Sequence, residues 1–375
     1  MIQKYFRHLF FALFILCTTV ATAHDFEVDG ICYNILSKED KTVEVTYKGT
    51  SFSSALYSGN VVIPERVVYD DIIYAVTAVG MHAFHRCYGL TDVAIPESVT
   101  SLGDKAFYYC YKLTTITIPN SVRVIGGAAF DECSGLSSVH INDLYAWCNI
   151  DFWGAFSNPL AYARNLYVNG EKVKDLVIPD GVAELKKYAF YGGSAITSVV
   201  IPESVTAIGS CVFYNCFNMT NIKIPNSVKS IGEYAFYNCR NIKSFEIPTN
   251  VTSIGSNAFY DCTGLTSLTS LIPVDALFTV NKYVFCSIDK NACILYVPYG
   301  AKDAYASTEG WNEFANIVEL EPAGIDEVDD VLKGEPMVDS SQSGEVKAVY
   351  DLQGRVVENP TSGVYVIDGK KVLVK

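Results

Sequence analysis

Residues Ile224–Cys239 read IPNSVKSIGEYAFYNC. Twenty-three residues earlier the chain reads IPESVTAIGSCVFYNC, and twenty-three residues later IPTNVTSIGSNAFYDC. Working outward, Ile-Pro pairs begin at Ile95, Ile118, Ile178, Ile201, Ile224 and Ile247. Ile141 fills the slot after Ile118 without a proline, and less regular copies begin at Ile63 and Ile272. A fixed period of about 20–29 residues marks a solenoid, whose units bury their apolar faces only by stacking on one another.

The phase of the unit is legible. An L-x-x-L-x-L run leads into each Ile-Pro, as in Leu113, Ile116, Ile118 and in Met219, Ile222, Ile224. This is the strand signature of a leucine-rich repeat. The proline marks the strand end, because it cannot donate to a ladder. Two residues further on stand Ser98, Ser121, Ser204, Ser227 and Asn250, all able to bond a buried turn of backbone. The second half of the unit, V-x-x-I-G-x-x-A-F-x-x-C-x-x-L, predicts a short second strand, a tight turn at Gly232, and one helical or 3-10 turn around Phe236 and Cys239.

Cys87, Cys110 and Cys133 are 23 apart, as are Cys216, Cys239 and Cys262. One slot in successive coils predicts a column of thiols packed as small apolar groups. Parallel side chains suit disulfides poorly, and no C-x-x-C pair suggests zinc. The residue after the repeat phenylalanine is Tyr108, Tyr191, Tyr214, Tyr237 or Tyr260. Such a stripe either contacts a sugar or protein ligand or is a stacking ladder that shields the coil edge. The outward strand positions, Thr115/Thr117 or Ser198/Val200 for example, are small and mixed.

The period breaks at 142–177, an elongated coil that carries Trp147 and Trp153. Asn169-Gly170 inside it suits a type I′ hairpin. Insertions in solenoids often bind ligands, so Trp147, Trp153, Tyr191, Tyr214, Tyr237 and Tyr260 are the candidate contacts. The alternative for the tryptophans is that they only pack the larger coil.

The ends differ from the middle. Residues 1–23 run from Lys4 and Arg7 through an apolar stretch to Ala21-Thr22-Ala23, the order of a secretory signal cut after Ala23. The stretch is too short to span a bilayer, and no later one is suited to it. Removing it takes the formal charge from −13 to −15, which disfavours nucleic acid and anionic membranes as partners. Residues 24–62 predict an N-terminal β cap and 63–320 the solenoid, closed by Tyr305, Trp311 and Phe314. An acidic linker at 321–345 leads to a small β segment at 346–375, with a hairpin at Asp368-Gly369.

No nucleophile elbow, metalloprotease motif or phosphate loop occurs, and the paired acids Asp70-Asp71 and Asp329-Asp330 read as solvated charge. His82 and His85 occupy ordinary repeat slots and lack a third ligand at fixed spacing. Catalytic residues, metal and cofactors are therefore not expected.

The unit IPxSVTxIGxxAFxxCxxLTxV resembles the BspA-type leucine-rich repeats of bacterial surface proteins over about residues 55–320. DFEVDGICYNI and LYVPYGAKDAY…GWNEF resemble what flanks such repeats in Bacteroidota. The resemblance implies exported proteins, some of them adhesins, and no catalytic residues. The last 30 residues are similar to the sorting signals of the type IX secretion route, in Gly354, Gly363 and Lys370-Lys371, but are shorter than the usual sorting domain.

The expectation is thus a right-handed, β-rich, leucine-rich repeat solenoid with a 23-residue period, one parallel strand sheet, and short strands or 3-10 turns opposite. Its expected work is non-enzymatic binding of a host extracellular-matrix protein, a bacterial surface protein or a glycan. The expected place is the cell surface or the medium, with the periplasm as the remaining compartment. The alternative is a structural spacer without a specific ligand.

Overall fold

A computed structural model of the chain describes residues 24–52, 56–321 and strands at 349–350, 363–367 and 370–374. The expected signal at 1–23 and the linker from 322 onward lie outside the described residues. The protein is a β-solenoid of about 11 turns with a ~23-residue period.

The front strands form by the pattern read from sequence. In Thr115–Thr117 the inward residue Ile116 is buried, while Thr115 and Thr117 face outward. These strands pair in parallel with a step of one coil, Ile116 beside Val139 and Val139 beside Leu166. The front surface is not one unbroken ladder. It runs as Ser58–Val62 with Gly89–Ala94, then three larger ladders holding 115–172, 175–223 and 244–319. The hairpin at Asn169 (φ 50°) and Gly170 (φ 84°) ends the first of these three, both residues adopting the left-handed conformation that a type I′ turn needs.

The corner after each front strand is tied as the residue types imply. Ser98, Ser121, Ser204 and Ser227 donate their hydroxyls to Val76, Val99, Val182 and Val205 carbonyls of the preceding coil, at 2.6–2.9 Å. Asn250 Nδ2 reaches the Asn226 carbonyl at 2.8 Å.

The back strands are two residues long in most coils. Ser101–Leu102, Val124–Ile125 and Asp151–Phe152 extend the strand Ile72–Val79, which also pairs in parallel with Thr42–Thr46. Through that pairing the antiparallel strands Phe26–Val28, Ile31–Ser37 and Thr42–Thr46 become the N-terminal end of the stack. A second back ladder starts at Glu184–Leu185 and ends at Ser253–Ile254. Between Asp151–Phe152 and Glu184–Leu185 there is no pairing, so the back sheet has a seam at the insert.

The third face corrects the sequence reading. The A-F-x-x-C segment is not a helical or 3-10 turn. The residue before its alanine and the residue after its tyrosine are both left-handed: Lys105 (φ 53°) and Tyr109 (63°), Tyr234 (56°) and Asn238 (60°). This alternation turns every second N–H across the stack. Lys105, Phe107 and Tyr109 N–H donate to the Gly127, Ala129 and Asp131 carbonyls of the next coil, while Ala106, Tyr108 and Cys110 N–H close turns within their own coil. A helical turn would have spent all these donors locally. The glycine column is also reread: Gly232 is not left-handed, and its function is close approach, since a Cβ there would lie 2.5 Å from Ser210 N.

Inside, the phenylalanines stack. Phe84, Phe107 and Phe130 have centroids 5.1 and 5.0 Å apart, and Phe190, Phe213, Phe236, Phe259 and Phe285 follow at 5.3–5.7 Å. Beside them the cysteines of the column bond backbone: Cys110, Cys133, Cys216, Cys239 and Cys262 Sγ each lie 3.0–3.4 Å from the preceding coil's phenylalanine carbonyl. A thiol is a weak donor, but there it supplies a second hydrogen bond to a buried oxygen. Trp311, fully buried, covers Phe285 at 5.4 Å and donates Nε1 to the Phe278 carbonyl. In the C-terminal segment Gly363–Ile367 pairs antiparallel with Lys370–Val374 and with Val349–Tyr350.

Burial pushes the Cys262 thiol up to about 12. Among the eleven cysteines of the described residues, native protein is therefore expected to label with iodoacetamide at the half-buried Cys211 and Cys286, and the other nine to react after denaturation. The pH dependence follows in sign. Below about 8.5, the ordinary thiol value, folded and unfolded chains both keep the proton. Above it only the unfolded chain ionises, so stability falls with rising pH until the folded thiol also ionises. Labelling of the column cysteines in native protein at pH 8 would contradict this.

Candidate functional site

The insert begins with Asp143, whose carboxylate accepts from Tyr145 N (2.8 Å) and Ala146 N (3.2 Å) and so starts the helix Leu144–Cys148. That start points Trp147 inward. Trp147 is 1% exposed, and its Nε1 donates to the Ala189 carbonyl at 2.9 Å. The strand Asp151–Phe152 follows and delivers Trp153 into the slot held elsewhere by Gly103, Gly126 and Gly232. Like those glycines it donates its N–H to the preceding coil, here to the Ile125 carbonyl at 3.1 Å. Trp153 is 63% exposed.

Next come the 3-10 turn Ala155–Ser157, with Phe156 43% exposed, and the short helix Leu160–Ala163. Between them sits buried Asn158. Its Nδ2 donates to the Tyr188 and Ala189 carbonyls at 2.8 and 2.9 Å, and its Oδ1 accepts from Leu160 N at 2.9 Å. On the N-terminal side Phe130 N donates to the Phe156 carbonyl, and Glu132 N to the Tyr162 hydroxyl at 2.9 Å. The Tyr162 hydroxyl itself donates to Asp131 Oδ1 at 2.9 Å. The insert lacks the A-F turn, and these groups replace it. They meet the donors of one coil and the carbonyls of another, so the hydrogen-bonded rows of the third face continue across a coil of different shape.

The expected contact residues therefore separate. Trp147 belongs to the core, out of reach of a surface ligand, while Trp153 stands in solvent. Tyr191, Tyr214, Tyr237 and Tyr260 are half-buried and stack face to face, with centroids 4.8, 4.3 and 5.1 Å apart and planes within 12°. Stacking covers the ring faces a sugar would use. Burial and the neighbouring phenols push the Tyr214 hydroxyl up from its ordinary value. The column reaches the insert: Phe156 meets Tyr191 edge-on at 6.5 Å and Tyr162 at 5.9 Å. Tyr162 in turn lines an open concavity of about 690 Å³ with Arg164, Lys172, Ser137, Asn165 and Asn218. Two cations and no acid line this hollow, on a chain of net charge −13.

Sequence reasoning missed Phe156, Asn158, Tyr162 and Arg164. The Asn158-Pro159 pair was the available signal, since it favours a turn. His82 and His85 are held by rings: His82 stacks on Phe52 at 4.5 Å and His85 on Tyr108 at 5.2 Å. Desolvation, His82 and Arg86 lower His85 to about 4.

The repeat family that the chain matches agrees with this architecture. The family described as the BspA type leucine rich repeat region matches in 6 copies, over residues 69–152 and 163–291. No curated protein matches the chain. Among solved structures it is similar to a leucine-rich repeat protein from Bacteroides ovatus, at 25% identity and TM-score 0.48, over 79% of this chain and 77% of that one. A leucine rich cell surface protein from Faecalibacterium prausnitzii is similar at 19% identity and TM-score 0.40, over 76% and 97%. The pneumococcal vaccine antigen PcpA is similar at 17% identity and TM-score 0.43, over 79% and 98%. With six repeat copies covering more than half its length, on a solenoid built from the same unit, the chain belongs to the BspA-type leucine-rich repeat proteins.

Proposed function

We propose that the protein is an exported, non-catalytic binding module, and that the insert at 142–177 carries its recognition surface. The observation that supports this most is the contrast in aromatic exposure. The Tyr191–Tyr260 column covers its ring faces by stacking, whereas the insert leaves Trp153 and Phe156 exposed close together in the chain. Large rigid aromatics supply most of the energy at interfaces. The hollow beside Tyr162, with Arg164 and Lys172, adds a charge that favours an acidic group on the ligand. The partner is a host extracellular-matrix protein, a bacterial surface protein or a glycan. Repeat-family membership favours binding over catalysis, and no helix among the described residues is long and apolar enough to cross a membrane.

Removing residues 142–172 would not test the site cleanly, because the insert also splices the hydrogen-bonded rows. Surface substitutions do. Residues 24–320 would be screened against matrix proteins, mucins and acidic and neutral glycans. Trp153→Ala is expected to weaken the best hit about 30-fold, as an interface hot spot of about 2 kcal/mol does. Phe156→Ala and Arg164→Glu are expected to weaken it less. Unchanged affinity in all three, with loss on charge reversal at Lys223 or Glu246, would move the site to the strand face. A silent array would favour the spacer reading, which the small outward residues of the front strands suit.

A further inference from the structure

The cap begins with a tight hairpin. Asp29 (φ 52°) and Gly30 (φ 81°) make its two-residue turn, and the register places Glu27 directly across from Cys32. Cross-strand partners share a face of the hairpin. The Cys32 sulfur accordingly lies 3.8 Å from Glu27 Oε2. Lys48 holds the other carboxylate oxygen, Oε1, at 3.2 Å, which fixes the carboxylate and leaves Oε2 turned to the sulfur. His24 packs onto the same spot, so that one donor atom each from His24, Glu27 and Cys32 lie within 4.8 Å of one another. Cys32 is fully buried beneath, Glu27 exposed, and His24 between. Nitrogen, oxygen and sulfur donors suit a borderline-soft divalent ion such as zinc, whose ligand bonds of about 2.0–2.3 Å would draw the three atoms somewhat closer together.

His24 is also the residue that follows the expected signal cleavage site. Cleavage after Ala23 would free its α-amine, and the amine and Nδ1 of one histidine close a chelate ring on a metal.

We propose that the N-terminal hairpin is a zinc-class metal site formed by His24, Glu27 and Cys32, and that signal removal completes it with the His24 α-amine as the fourth ligand. The ion displaces the Cys32 proton to solvent and binds the thiolate. It then ties the chain start to the first strands of the cap, where the stack has no preceding coil. The sequence shows no metal motif because the ligands are gathered by a hairpin register and a chain end. The fourth ligand rests on the export reading, while the three side chains do not.

The test uses Co²⁺ and Zn²⁺ with reduced chain 24–375 made with a native His24 terminus. Cobalt is expected to bind one per chain and to show thiolate-to-metal charge-transfer absorption, which zinc then displaces. Cys32→Ser is expected to abolish that absorption. His24→Ala and Glu27→Gln are each expected to weaken binding by more than the roughly 10–100-fold that an outer-sphere partner is worth. Circular dichroism of the apo variants checks their folding. Absence of the charge-transfer band in the native-terminus chain, or its persistence in Cys32→Ser, would overturn the site. A chain carrying Ala-Thr-Ala before His24 is expected to bind at least about 10-fold more weakly. Equal binding would overturn the role of the amine.

Discussion

Gly232→Ala is expected to destabilise the solenoid by about 3 kcal/mol, the upper part of the usual range for overpacking. The added methyl would sit 2.5 Å from Ser210 N and 2.6 Å from the Gly209 carbonyl carbon, both backbone atoms of the preceding coil. Side chains can swing away from such contacts, but these peptides cannot. They are held by the Gly232 N–H to the Ile208 carbonyl, 2.8 Å, and by the parallel pairing of Ser230–Ile231 with Ala207–Ile208. Strands in such a ladder lie about 4.8 Å apart, and a methyl between two of them forces the coils to separate. In a stack whose stability comes from neighbouring interfaces, the damage should centre on one junction. Urea unfolding would read the loss, and hydrogen exchange should show the coils at 207–213 and 230–236 opening first. Glu233→Ala, one residue on, is the control and should change stability by less than about 0.5 kcal/mol. A similarly small change for Gly232→Ala would refute the close-approach account.

Trp147 separates two contributions that the sequence reading had merged. Trp147→Ala is expected to cost about 3–5 kcal/mol, the usual price of emptying a buried aromatic site. Trp147→Phe keeps a six-membered ring in the core, leaves a small cavity, and loses the Nε1 bond to the Ala189 carbonyl. Because Asn158 Nδ2 still donates to that oxygen, the expected cost is about 1–2 kcal/mol. In the Asn158→Ala background the same Trp147→Phe change should cost more, since the carbonyl then loses its second donor. Thermal unfolding of the four proteins gives the cycle. Binding data add a discriminating readout. Trp147→Phe should leave ligand affinity unchanged where Trp153→Ala lowers it. An affinity loss with Trp147→Phe at unchanged stability would return Trp147 to the contact surface.

Much of the fold was legible because a repeat states its own rules many times. The inward positions of Leu113, Ile116 and Ile118, the bonds of Ser98 and Ser227, and the stacking of Cys216, Cys239 and Cys262 each follow from one slot read in several coils. The turn around Phe236 was misread because spacings of three and four suit a helix and an alternating turn equally. Asn215, Asn238 and Asn257 at the left-handed slots carried the better signal, though Lys105 and Tyr109 at equivalent slots did not. The insert offered no second copy to compare. Trp147 and Trp153 look alike by type, and it is the helix start at Asp143, which turns Trp147 inward, that separates the buried ring from the exposed one. The pairing of Glu27 with Cys32 depended on register across a turn, which residue spacing alone does not reveal.

The one-way rows of the third face have a consequence for assembly. Each inter-coil bond there runs from an N–H in one coil to a carbonyl in the next, from Lys105 N to the Gly127 carbonyl and on to Phe259 N and the Val284 carbonyl. A stack built this way has a donor end and an acceptor end, like a polar rod. Two bare rods can therefore join only head to tail, a contact that never closes and grows into fibres. Trp311 and Phe314, folded onto Phe285 at the donor end, act as a chain terminator. They give a column of nearly interchangeable rungs a defined length.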